Sequence, residues 1–222
     1  EGDVINIPTG IFRGFENIGT DYGMIMAVLG GDDAGGGVIW APQVIEDAKD
    51  HGLILGENGV LYDSHKGAVL PDGISPMRVL DEDEMALFPK ITTAMFVPRF
   101  VARYLDMMAL ADRQAVTVIG EDGMLVDRPG FKLEFLSSGS VDGTAYSTER
   151  HEILMVMRGY WKVTWDGGET VLAPGDVFAV PPGIERSLQV AMSGEASLFR
   201  VSDTDDEAGL TMNFVADSRQ SH

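Results

Sequence analysis

Cysteine is absent from all 222 residues, which excludes disulfides, thiolate metal sites and cysteine nucleophiles. Cations are scarce: 16 Lys and Arg stand against 35 Asp and Glu, a formal net charge of −19. Nucleic acid and anionic membrane surfaces both call for basic patches, so neither is an expected partner. No apolar run reaches the ~18 residues that span a bilayer, and no low-complexity linker interrupts the chain. The glycine-rich run from Gly30 to Gly37 contains no lysine, which removes a phosphate loop and leaves a flexible loop. A cysteine-free acidic chain fits a reducing compartment, and the expected location is cytoplasmic.

What is present is apolar enough, at 45% hydrophobic residues, to build a real core. The most patterned stretch runs from Gly159 to Gln189. YWKVTW alternates bulky and polar residues, Asp166-Gly167-Gly168 supplies a tight turn, and ETVL returns, which predicts a hairpin. Pro174-Gly175-Asp176 makes a second turn, VFAV a short strand, and Pro181-Pro182-Gly183 a third break before RSLQV. FKLEFLSS and the doubly apolar HEILMVMRG read as further strands, with a turn at Glu121-Asp122-Gly123 before them. Short strands at this spacing predict a sandwich or barrel.

The N-terminal half reads differently. Pro42 and Gly52 bracket a short helix with Val44, Ile45 and Ala48 as its stripe. Asn58-Gly59 turns two short strands, and DEDEMALF begins another helix. The spacing of Phe100, Val101, Tyr104, Leu105 and Met108 predicts one helix over 98–111, on which Arg99 and Arg103 share a face. YGMIMAVLGG is expected as a strand, and SDTDDE after Val201 as a solvated turn. His51 and His65 have no partner at ligand spacing and read as solvent-facing or packing residues.

The run Gly175-x5-Pro181-x-Gly183-x2-Arg186 resembles the second motif of the cupins, G-x5-P-x-G-x2-H-x3-N, and Glu152-x6-Gly159 resembles the end of the first, G-x5-H-x-H-x3-4-E-x6-G. Gly2-x5-Pro8-x-Gly10-x2-Arg13-x3-Asn17 repeats the second motif at the N-terminus, which suggests a duplicated barrel. The resemblance implies an all-β cupin double-stranded β-helix, or jelly roll, within a bicupin. Residues 1–40 are expected to be the closing strands of a truncated first barrel, 41–112 a partly helical connector, 113–202 a complete second barrel and 203–222 a tail.

In metal-binding cupins the two His of H-x-H, the Glu and the later His hold the metal. Here the H-x-H positions fall on Ala145 and Ser147 or on Tyr146 and Thr148, and the later His is Arg186. Arginine does not deprotonate to become a donor to a metal. Glu152 alone survives, with His151 beside it on the opposite face of the strand. No cofactor is therefore expected in the second barrel, and a metal there would have only Glu152 and His151. The resemblance points Glu152 and Arg186 into one cavity. Arg186 then either anchors a carboxylate, phosphate or enolate, or closes a buried ion pair with Glu152. Tyr146 and Thr148 would offer hydroxyls, and Arg13 occupies the matching slot of the first barrel.

Three functional expectations follow. One is a metal-free bicupin that binds a small anionic molecule through Arg186, Glu152, Tyr146, Thr148 and Arg13. Another is an oxidoreductase of the cupin dioxygenase type, with iron or another divalent metal in the missing first barrel. The third is an isomerase using His151 and Tyr146 for proton transfer. Cupins commonly dimerise, so a homodimer is expected.

Overall fold

The computed structural model describes residues 2–7, 11–28, 39–88, 92–125 and 130–204. In chain order the elements are β1 (Val4–Ile5), α1 (Pro42–Asp50), β2 (Leu53–Leu55), β3 (Leu61–Asp63), α2 (Glu82–Ala86), α3 (Thr93–Phe100), β4 (Val101–Ala102) and α4 (Tyr104–Leu110). Eight strands follow: β5 (Val116–Ile119), β6 (Phe131–Ser137), β7 (Glu152–Arg158), β8 (Trp161–Trp165), β9 (Gly168–Leu172), β10 (Val177–Val180), β11 (Arg186–Val190) and β12 (Ser197–Asp203). Two compact units result, one from the described residues of 1–7 and 91–204, the other from those of 8–90.

The first unit is a jelly roll, and its winding can be followed from the strand pairs. β8 and β9 form the hairpin predicted about Asp166-Gly167-Gly168, while β7 pairs with β10. Together these four strands are one long two-armed ribbon that bends from one sheet into the other. The bends fall at Gly159, on one arm, and Gly175, on the other, both at positive φ. Gly159 tolerates no substitute, since an added Cβ would come within 2.6 Å of the Ala196 Cβ. β11 then runs along β8, and β12 along β7 and β6. The result is a five-stranded sheet in the order β10-β7-β12-β6-β5 facing a three-stranded sheet, β11-β8-β9, all antiparallel. The expected all-β cupin jelly roll is thus formed.

Strand alternation gives each sheet an inner face. Leu136, Leu154, Val156 and Leu198 from the larger sheet meet Trp161, Val163 and Leu188 from the smaller, all buried in one apolar cluster. The larger sheet also buries part of its other face. There Phe135 and Phe199 stack edge-on, and Tyr104 of α4 packs edge-on against Phe135 with ring centroids 5.6 Å apart. The Tyr104 hydroxyl lies 2.9 Å from the buried Ser197 Oγ, which fastens the helix to the sheet.

The single helix expected over 98–111 is two helices parted by β4. Val101 is extended, and Val4–Ile5 supplies its ladder partner. The Asp3 carboxylate then accepts the Tyr104 N–H at 2.8 Å and the Arg103 guanidinium at 2.7 Å, so a residue distant in sequence serves the first amide of α4. The break rotates the stripe: Phe100, Tyr104, Met107 and Ala111 are buried, whereas Leu105 is 77% exposed. Likewise the chain after Val201 continues as strand to Asp203, because Lys132 and Phe131 of β6 extend the ladder.

In the second unit α1 begins at Pro42 as expected, with Ile45 and Ala48 buried and Val44 outward. β2 and β3 pair about Asn58-Gly59, and Asp81 with Glu84 forms a capping box on α2. Residues 11–28 contain no strand. The segment expected to extend from Tyr22 finds no ladder partner among the described residues, and the Tyr22 N–H donates instead to the Asp21 carboxylate at 2.8 Å. The run Gly30–Gly37 lies outside the described residues. Among the described residues no helix is long and apolar enough to cross a membrane.

Candidate functional site

Glu152 opens β7 and Arg186 opens β11, so each sheet contributes one charged residue to the same end of the barrel interior. Both are buried, at 3% and 1% exposure. Arg186 Nε donates to Glu152 Oε1 at 3.2 Å, Nη2 lies 3.0 Å from Oε2, and Nη1 donates to the Ile184 carbonyl at 2.8 Å. Nη2 is out of line with Oε2 and makes no hydrogen bond.

Tyr146 joins this pair through its backbone. It exchanges two hydrogen bonds with Arg186, at 2.8 and 2.9 Å, in an isolated antiparallel bridge. Directly opposed residues present side chains on one face. The Arg186 guanidinium accordingly lies 4.3 Å from the Tyr146 ring centroid, and the Tyr146 hydroxyl donates to Glu152 Oε1 at 2.8 Å. Burial, together with the negative charge of Glu152, pushes the phenol up from its ordinary pKa.

A second pair adjoins the first. Arg200 of β12 stands directly across the ladder from Glu134 of β6, and its Nε and Nη2 both reach Glu134 Oε2 at 2.8 Å. Arg200 also lies 5.7 Å from the Tyr146 ring centroid and 3.9 Å from Glu152 Oε2, so the two arginines share one aromatic ring and one carboxylate neighbourhood. Lys132 donates to Glu134 Oε1 at 2.7 Å. Burial of Glu134 raises its pKa, but the positive charges of Arg200 and Lys132 more than reverse this and hold it below the ordinary value. Burial works against the Arg200 charge, and Glu134 with its neighbours outweighs burial, raising the guanidinium pKa.

Beside Arg200 is a cavity of about 140 Å³. Leu136, Leu188, Ala115 and Val141 give it apolar walls, and Arg200 with Tyr146 line its polar side. The rim residues Ser140, Asp142 and Thr144 are occupied with one another or with their own turns: Asp142 accepts the Thr144 N–H at 2.9 Å, and Ser140 bonds both backbone groups of Ser137.

The residues present do not fit the metal that the fold family implies. Where a cation would need lone pairs, Glu152 meets a guanidinium that cannot release its proton. His151, the only imidazole weighed for the role, is exposed while its neighbour Glu152 faces in. Among the described residues no three His, Cys, Asp or Glu come together.

Of the sequence-predicted site, the structure brings together Arg186, Glu152 and Tyr146. Thr148 is half-buried and spends its hydroxyl on the Arg150 N–H at 3.1 Å, within its own turn. Arg13 is exposed in the second unit. Arg200 and Glu134 were missed, although a signal existed. Arg200 is a lone charge within the apolar strand segment SLFRVS, and Glu134 follows Lys132 in FKLEFL, each on the same inward alternation as Leu198 and Leu136. Such a charge needs a partner across the ladder.

The winding of the ribbon and the glycine corners define this unit as a jelly roll. No protein-family model and no curated protein matches the chain. Solved structures that it resembles include a cupin-2 domain protein from Shewanella frigidimarina, 13% identical over 46% of this chain and 94% of that one, TM-score 0.36. Others are a cupin 2 conserved barrel protein from Salinispora arenicola, 16% identical over 49% and 83%, TM-score 0.35, and the Cnp3 cupin domain of Schizosaccharomyces pombe, 16% identical over 41% and 60%, TM-score 0.35. At these scores the fold assignment rests on strand order and register.

Proposed function

We propose that the barrel binds a small anionic molecule without a metal, and that the anchor is Arg200, with Arg186 serving as an internal counter-ion to Glu152. The observation that carries this reading is the lining of the cavity, which includes Arg200 and Tyr146 and leaves out both Arg186 and Glu152. Arg186, Arg200 and Lys132 supply three positive charges against the two of Glu134 and Glu152. The Arg200 side chain is mostly buried, and a charged hydrogen bond made there is stronger than one made in bulk water.

The test is thermal unfolding in chloride, acetate, phosphate or sulfate at matched ionic strength, with acetamide as the neutral control. Ligand at about 100 times its Kd stabilises a protein by about 2.7 kcal/mol, and at least one anion is expected to raise Tm where acetamide does not. Arg200→Met is expected to abolish that rise. If no anion stabilises more than acetamide, the reading fails.

A further inference from the structure

We infer that the occupant of the cavity is a short-chain monocarboxylate of two to four carbons, with its carboxylate on Arg200 and its alkyl end against Leu136, Val141 and Leu188. This rests on the small-anion reading above and narrows it by size, charge and polarity.

Size comes first. Ligand pockets usually measure ~300–1,000 Å³, and this one has about 140 Å³. An apolar cavity of ~150 Å³ holds benzene, a molecule of about six non-hydrogen atoms. Acetate, propionate and butyrate fit wholly within that volume, whereas nucleotides, sugars and aromatic acids would extend out through its open mouth.

Charge is the second constraint. Arg200 supplies the one positive charge that lines the cavity, and it is already shared with Glu134. Asp142 on the rim repels a second negative charge, and it stays ionised because the Thr144 N–H and hydroxyl bond to it and lower its pKa. A monoanion is therefore favoured over a dicarboxylate or a phosphate dianion.

Polarity is the third. The Tyr146 hydroxyl is given to Glu152, the Ser140 hydroxyl to the Ser137 backbone, and the Thr144 amide to Asp142. Arg200 is thus the one cationic anchor in a cavity whose wall also carries Ala115, Leu136, Val141 and Leu188, which suits a ligand with one polar end, one apolar end and no further hydroxyls. A polyol would leave its hydroxyls unpaired on burial.

The experiment is a proton–nitrogen NMR titration of the 222-residue chain with acetate, propionate, butyrate, hexanoate, succinate, phosphate and propionamide, following the amides of Tyr146 and Arg200. Each buried methylene is expected to tighten binding about fourfold from acetate to butyrate. Hexanoate, succinate and phosphate are expected to bind at least tenfold more weakly than butyrate, and propionamide not at all. Ala115→Leu fills the cavity without touching an ion pair, and is expected to weaken butyrate at least tenfold while the fold, judged by its spectrum, is retained. If anions bind with no gain per methylene, or phosphate and succinate bind best, the monocarboxylate inference is overturned and small-anion binding stands. If none of the anions shifts these amides, both are overturned.

Discussion

One residue pattern, G-x5-P-x-G-x2-R, occurs twice in this chain and ends in opposite surroundings. In the second copy Gly175 turns the ribbon between sheets, and Arg186 is buried against Glu152 and Tyr146. In the first copy the residues after Gly2 form β1, which pairs with β4, and Arg13 is exposed. The pattern sets corners and breaks, but it does not by itself bury a guanidinium. Burial of Arg186 depends on a carboxylate and an aromatic ring brought from other strands, because a charge leaves water only for a partner. A motif read locally therefore locates the arginine, and the tertiary pairing decides its role.

The comparison is broken most forcefully at the arginines themselves. Arg186→Ala strands Glu152 in the interior and is expected to cost about 3–5 kcal/mol in urea unfolding, whereas Arg13→Ala is expected to stay within about 0.5 kcal/mol of the parent. If the ion pair is the cause, removing both charges should repair much of the damage. Arg186→Met with Glu152→Leu is expected to be at least ~2 kcal/mol more stable than Arg186→Ala, since a packed apolar replacement avoids the lone charge.

A smaller loss, about 1.5–3 kcal/mol, is expected for Tyr146→Phe, which removes one hydrogen bond to a charged acceptor and keeps the ring. The acid limb sharpens the account of the second pair. Glu134 has a folded pKa below its unfolded value of about 4.3. Its contribution is fully present above that unfolded value and is lost as pH falls through the lowered folded one. The gap in urea midpoint between the parent and Glu134→Gln is therefore expected to shrink between pH 6 and pH 3; a constant gap contradicts the assignment. Smallest of all, Asp3→Ala is expected to cost about 1 kcal/mol through the uncapped Tyr104 amide.

How much of this was legible in the sequence depended on range. Alternation and turn residues located the hairpin of β8 and β9, and the inward position of Glu152 followed from the family pattern. The split of the 98–111 helix was not legible, because the strand that interrupts it is completed by Val4–Ile5 and its second half is capped by Asp3. Arg200 escaped for a similar reason: its partner Glu134 is 66 residues away, and only the register of β12 on β6 brings them together. The expected strand beyond Tyr22 shows the converse, a sequence with apolar character but no ladder to join among the described residues.

The most direct test of the central claim distinguishes the two inward arginines by their own side chains. Arginine Nε–H resonances of Arg186 and Arg200 would be assigned by substitution and followed as propionate is added to saturation. The account predicts that the Arg200 resonance moves several times further than that of Arg186, which stays bound to Glu152. Movement of the Arg186 resonance with Arg200 unchanged would contradict it, and would return the anchor to the position that the motif marks.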